Sequence, residues 1–300
     1  MTLGTNDRTP NRDHVFLTRF NMPSLGVESL IRTQPGWLER RVELFETYCL
    51  PSMCAQTDGN FHWITYFDVE SPGWLLDRIL RWRTLVPMTP FFRTSVSHAE
   101  RIADIRTVVG EPADELLTTN IDNDDGLAVD FVERLAGYRR RHERCAVYFE
   151  FGLIQSGTRI YLQRDRSNAF CSVLETWDRP VTCWAAAHNE LAHLMPQATI
   201  GGPPAWLQVI HGTNVSNRVQ GMRVSAGSHL AQFPGLATLA EPSRLELALD
   251  RVIGVPMRTT RRLARKAAKA AILRLSGREG GEKVKYVLRQ IRRTFGAVGQ

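Results

Sequence analysis

Three β-prone runs in the first half of the chain, residues 14–20, 61–68 and 116–121, each stop at polar or charged residues and give way to a helical pattern. Behind the first, Trp37, Val42, Leu44, Phe45 and Tyr48 recur at near-helical spacing from Gly36 to Leu50, where Pro51 predicts a stop. Trp74 to Leu85 follows the second run and Leu127 to His142 the third. Such βα alternation predicts an α/β fold with an open, mainly parallel sheet covered by helices. Ligand groups in these sheets gather at the carboxyl ends of the strands. Arg19 and Asn21, Asp68, and the acidic stretch from Asp122 all fall at such ends.

Asp122-Asn123-Asp124-Asp125 is the sharpest of these signals. Burying three carboxylates together is costly unless a cation or strong donors compensate them. An oxygen-rich cluster suits Mg²⁺ or Mn²⁺, which need one or two protein carboxylates when a substrate diphosphate supplies the other oxygens. A helix N-cap with extra acids would account for one or two carboxylates less specifically. An EF-hand is excluded, because the position that needs glycine is Leu127.

The second half reads as a meander. Strand-like runs at Ala146–Phe151, Arg159–Gln163, Phe170–Glu175 and Val181–Trp184 are expected to extend the same sheet. His188–Leu194 reads as a short helix or loop. Gly201-Gly202-Pro203-Pro204 breaks the chain before a strand at Ala205–Ile210 and a turn beginning at His211.

Charge divides the chain. The net charge is +7, but from Arg251 onward fourteen Lys/Arg face two acidic residues, a net +12. The first 250 residues carry 24 basic and 29 acidic groups, a net −5. Arg258–Arg274 has strong helix composition, and Lys283–Phe295 is amphipathic. This basic end reads as a solvated helical face, a contact for an anionic membrane, or less well a nucleic-acid contact, since only Tyr286 and Phe295 are aromatic. No apolar run approaches the ~20 residues that span a bilayer. The polar start lacks the apolar core of a secretory signal, and five scattered cysteines read as reduced thiols. The expected location is the cytoplasm, with peripheral contact at the inner face of a bacterial membrane as an option.

Several segments together resemble a bacterial family described as "putative rhamnosyltransferase", glycosyltransferases of the GT-A type. They are Thr18-Arg19-Phe20-Asn21, Trp37 with Arg40-Arg41 and Leu44-Phe45, Leu50-Pro51-Ser52, Trp63-Ile64 with Asp68, Asp122-Asn123-Asp124-Asp125-Gly126-Leu127 and Trp206 to Asn214. The similarity runs in order from about residue 14 to 225. It implies a Rossmann-type three-layer αβα sandwich with a mainly parallel, mixed sheet. Residues 1–240 would form the catalytic domain, with a nucleotide-sugar half over 14–126 and an acceptor half over 127–225, followed by a basic helical extension over 241–300.

The resemblance also implies site roles. Asp122, Asp124 and Asp125 would hold Mn²⁺ or Mg²⁺ with His211 as a later ligand. Arg19, Asn21, Asp68 and Asp122 would bind the nucleoside-diphosphate sugar, whose sugar is rhamnose if the family label holds. Asn214, Asn217 and Arg218 are further candidates for diphosphate or acceptor. Inverting transfer to a glycan or lipid-linked acceptor needs a general base. Glu175, at the end of its predicted strand, is the first candidate and His188 the second, with Asp178 and Glu190 behind them. The competing readings are a metal-dependent phosphohydrolase or nucleotidyltransferase, and a non-catalytic membrane- or nucleic-acid-binding protein.

Overall fold

The computed structural model describes residues 11–23, 32–211, 218–236, 239, 241–265 and 267. Asn214 and Asn217 lie outside them, while Arg218 is exposed. Met1–Pro242 form one compact unit and Ser243–Gln300 a second.

In the first unit, strands β1 (Arg12–Arg19), β2 (His62–Phe67), β3 (Met88–Phe92) and β4 (Glu115–Asn120) precede β5 (Gly126–Leu127), β6 (Arg144–Phe149), β7 (Phe151–Ser156) and β8 (Arg159–Arg164). They are followed by β9 (Ser172–Glu175), β10 (Gln197–Ile200), β11 (Trp206–Ile210) and β12 (Met222–Val224). A seven-stranded sheet has the order β10-β6-β9-β4-β1-β2-β3. Every pairing in it is parallel except the two that β9 makes with β4 and β6. The mainly parallel, mixed sheet is therefore borne out.

Burial explains the order. Val15, Phe16, Leu17 and Thr18 are wholly buried, as a strand covered on both faces requires. Alternate residues enter two cores. Phe16 and Trp63 join helices α1 (Trp37–Leu44) and α3 (Gly73–Trp82) through Val42, Leu75 and Trp82. Val15, Leu17, Ile64 and Tyr66 meet Ile105 of α4 (His98–Val109) on the other face. Helices on both faces make the three layers. The chain passes through Pro51 without stopping: α1 continues by a π-turn at Phe45–Cys49 into α2 (Leu50–Cys54), and Pro51, which has no N–H to donate, follows directly on that wider turn.

Three expectations need correction. The meander does not simply extend the first sheet, because β7 and β8 join β5, β11 and β12 in a second, five-stranded sheet. The helix expected over Leu127–His142 shrinks to α5 (Phe131–Ala136), because Gly126 and Leu127 pair with Leu207 and Trp206 instead. Val181–Trp184 is not a strand: Arg179 and Thr182 have positive φ, which breaks an extended run.

The second unit starts with α6 (Arg244–Leu249), capped by Ser243 and Glu246 in a reciprocal capping box. A π-turn at Asp250–Gly254 follows, and residues 255–265 continue as helix.

Candidate active site

β4 belongs to the larger sheet and β5 to the smaller, so Ile121–Asp125 is the stretch where the chain crosses between them. Its entry is pinned from below. The buried Thr18 hydroxyl donates to the Ile121 carbonyl at 2.8 Å and accepts the Trp63 indole N–H at 2.9 Å. Asn123 is also buried, and its amide donates to the Phe20 carbonyl at 2.7 Å. The acidic turn is thus tied to the carboxyl end of β1 by two separate hydrogen bonds.

Asp124 is the electrostatic centre. Its Oδ2 lies 2.7 Å from His211 Nε2, just beyond the end of β11, and 3.0 Å from Arg41 Nη1 on α1. The same Arg41 nitrogen donates to Asn123 Oδ1 at 2.8 Å, and its guanidinium lies over the Trp37 ring at 5.3 Å. Burial opposes ionisation of Asp124, but the His211 hydrogen bond and the Arg41 charge outweigh it and hold the carboxyl below its usual range. Arg41 was visible in the sequence only as half of an Arg-Arg pair, with nothing in the spacing to connect it to a carboxylate 83 positions later.

The other two aspartates behave differently. Asp125 is buried and accepts the Val209 N–H at 2.7 Å, so it braces β11. Burial, then the charges of Asp124 and Asp122, push its carboxyl well above the usual range. Its Oδ1 is engaged by that backbone amide, which sets Asp125 apart from the Asp124–His211 pair. Asp122 is exposed, but into a concavity where surrounding protein still penalises its charge. That desolvation, then Asp124, raises its carboxyl.

Two cavities flank the turn. One, of about 340 Å³, is lined by Trp37, Arg40, Arg41, Tyr48 and His211. The other, of about 320 Å³, is lined by Arg19, Asn120, Asp122, Trp184 and His188. In the second, Arg19 lies 4.6 Å over the Trp184 ring, whose N–H donates to Asn120 Oδ1 at 2.7 Å. His188 Nδ1 bonds the Ser167 carbonyl, which can only accept. In the neutral ring this selects the tautomer with the proton on Nδ1 and the lone pair on Nε2.

Four expected site residues come together here: Asp122 and Asp124 at the turn, with His211 toward one cavity and His188 toward the other. Arg19 joins them. Asn21 does not, because it is buried with its amide spent on the Asp68 N–H and the Ser71 hydroxyl. Asp68 is likewise engaged, by Arg32 at 2.7 Å and the Glu70 N–H. Glu175 is displaced most. β9 runs antiparallel to β4 and sets Glu175 beside Leu116, so it sits at the opposite edge of the sheet from Asp122. It is buried, paired with Arg144 at 2.6 Å, and accepts the N–H groups of Val181 and Thr182. Glu175 lines neither cavity. Asp178 and Glu190 are exposed and line neither cavity.

Among the described residues, no three His, Cys, Asp or Glu side chains form a ready metal cluster. The convergent set is one carboxylate and one imidazole, with Asp122 on the rim. These donors fit Mn²⁺ or Mg²⁺ shared with substrate phosphates and do not amount to a closed protein cage.

A chain with this parallel sheet and a polar site at its carboxyl edge is a member of the α/β class that binds ligands at strand ends. The family described as "Putative rhamnosyl transferase" matches residues 13–223, and the chain belongs to that family. No curated protein sequence matches it. Among solved structures, it is similar to S. aureus TarS 1-349 in complex with UDP, at 10% identity and TM-score 0.42, over 66% of this chain and 60% of that one. It is similar to the inositol-1-phosphate CTP transferase from T. maritima at 8% identity and TM-score 0.34, over 69% of this chain and 93% of that one. GalNAc-T7 with UDP, GalNAc and Mn2+ is similar at 11% identity and TM-score 0.33, over 68% and 45%. The chain spans 60% of the TarS 1-349 chain and 37% of a longer TarS structure.

Proposed function

We propose that this chain is a glycosyltransferase that moves a sugar, rhamnose by its family's description, from a nucleoside-diphosphate donor to the hydroxyl of a glycan or lipid-linked acceptor. The observation that carries the reading is the convergence of Asp124, His211 and Arg41 on one carboxylate oxygen between two cavities. Asp124 and His211, with Asp122 beside them, would hold Mn²⁺ or Mg²⁺. Such an ion would supply positive charge to offset the charge growing on the departing diphosphate.

The chain's own groups have distinct tasks. Arg19, over the Trp184 ring, offers a cation beside an aromatic surface to the donor. Arg41 adds a second cation beside Asp124. His188 Nε2 accepts the proton of the acceptor hydroxyl, whose oxygen forms the new bond to the anomeric carbon. The old anomeric C–O bond breaks and its electron pair leaves with the nucleoside diphosphate, so configuration inverts. Catalysis belongs to the first compact unit.

The test is incubation of purified protein with dTDP- and UDP-sugars, dTDP-rhamnose among them, with and without glycan and lipid-linked acceptors. Acceptor-dependent release of the nucleoside diphosphate is expected, lost with chelator. Acceptor-independent release of nucleoside monophosphate and sugar phosphate, or of orthophosphate, would instead identify a phosphohydrolase, and pyrophosphate release from a nucleoside triphosphate supplied with a sugar phosphate would identify a nucleotidyltransferase.

A further inference from the structure

The second unit carries an apolar surface that its own fold leaves uncovered. Along α6, the π-turn and the helix to residue 265, Leu245, Leu249, Val252, Ile253 and Met257 are 46–74% exposed. Leu245, Leu249, Ile253 and Met257 follow one another at steps of four, and Val252 lies three after Leu249, so the five share one side of the helix. Isolated exposed leucines are ordinary, whereas a file of five large aliphatic side chains on one element calls for an occupant. The same element exposes Arg244, Arg251, Arg261, Arg262 and Arg265. From Ser243 to the end of the chain, fifteen Lys/Arg face four acidic residues, a net +11.

We infer that this helical segment is a membrane-surface anchor that lies on an anionic phospholipid bilayer, its aliphatic side chains among the acyl chains and its arginines at the phosphates. Charge complementarity selects this occupant. A second copy would bring another +11 against the first, while an anionic bilayer neutralises the charge and takes up the aliphatic side chains together. Nucleic acid would satisfy the arginines but leave Leu245 through Met257 in water. No helix among the described residues is long and apolar enough to cross a membrane, so the segment lies on the bilayer and does not span it. The anchor begins at Leu245, ahead of the basic stretch that the sequence singled out.

The experiment is co-sedimentation of the full-length protein with vesicles of phosphatidylcholine alone and of phosphatidylcholine with phosphatidylglycerol. Partition onto the anionic vesicles is expected to be at least about tenfold stronger and to weaken as salt is raised. The triple variant Leu249→Ser, Val252→Ser, Ile253→Ser should lose about tenfold or more of that partition. Its melting temperature should stay unchanged, because these side chains are exposed. Equal partition onto both vesicles, no partition onto either, or an unaffected triple variant overturns the inference. So does a dimer in analytical ultracentrifugation that the triple variant abolishes in the absence of vesicle binding.

Discussion

His211 Nε2 sits 2.7 Å from Asp124 Oδ2 across 87 positions of sequence, one from the end of a strand in the smaller sheet and the other from the turn that leaves the larger. Asp124→Asn keeps the shape and removes the charge on which His211 and Arg41 converge. Transfer is expected to fall about 10²-fold or more, the scale for losing one well-placed electrostatic group. Mn²⁺ affinity, followed by electron paramagnetic resonance, should fall with it. Unchanged affinity and turnover in Asp124→Asn would remove this carboxylate from the site.

His188, proposed as the proton acceptor, and Glu175, held in an ion pair with Arg144, give opposite expectations. His188→Ala should lower kcat by about 10²–10⁴-fold, the usual range for losing a general base, with little change in melting. Glu175→Gln should do the reverse. Glu175 is buried but Arg144 is partly exposed, so removing the charge that meets Arg144 and the Val181 and Thr182 amides costs about 1–3 kcal/mol of stability, yet the folded fraction should turn over normally. Turnover measured below the melting transition distinguishes the two, and a Glu175→Gln enzyme that folds but is dead would reinstate Glu175.

Thr18→Val keeps the side-chain volume but removes both a donor and an acceptor. The Ile121 carbonyl and the Trp63 indole lose a buried partner, at about 1–3 kcal/mol each. Urea unfolding should therefore show a loss of about 2–6 kcal/mol. Transfer by the remaining folded protein should also fall, because Ile121 leads directly into Asp122. A variant as stable as the parent would show that this hydroxyl does not hold the turn.

His14 sets a pH limit on the fold. Its imidazole is buried between strands, bonded to the Thr119 hydroxyl at 2.9 Å, and its pKa is lowered to about 3 by burial first and then by Arg12 and His62. The unfolded chain gains this proton near pH 6.5 and the native state does not. Stability therefore declines as pH falls below 6.5 and continues to decline toward 3, with about 2 kcal/mol lost from this residue by pH 5. Denaturation of the parent and His14→Gln at pH 7.5 and 5 measures the difference. Parallel declines in both proteins would assign the acid sensitivity elsewhere.

The strands that carry the site were readable because β1, β2 and β4 are continuous buried runs ended by polar residues. The acidic turn announced itself by charge density. What escaped was set by pairing between distant segments. Gly126 and Leu127 carry a helical pattern, but Trp206 and Leu207 draw them into a ladder. The direction of β9 is invisible in its sequence, and that direction alone moves Glu175 to the far edge. Val181–Trp184 has strand-like composition, yet the Glu175 carboxylate gathers its first two amides and Thr182 takes φ 70, unusual for a β-branched residue. Arg41 gave no signal of its role because its partners come from another part of the chain.

The crossing at Ile121–Asp125 makes the two sheets mechanically interdependent. A ligand gripped by Asp122 and Arg19 touches the larger sheet, and one gripped by His211 touches the smaller. Whatever bridges them acts as a clasp across the seam, so occupancy of the cleft should tighten the five-stranded layer as well as fill a hole.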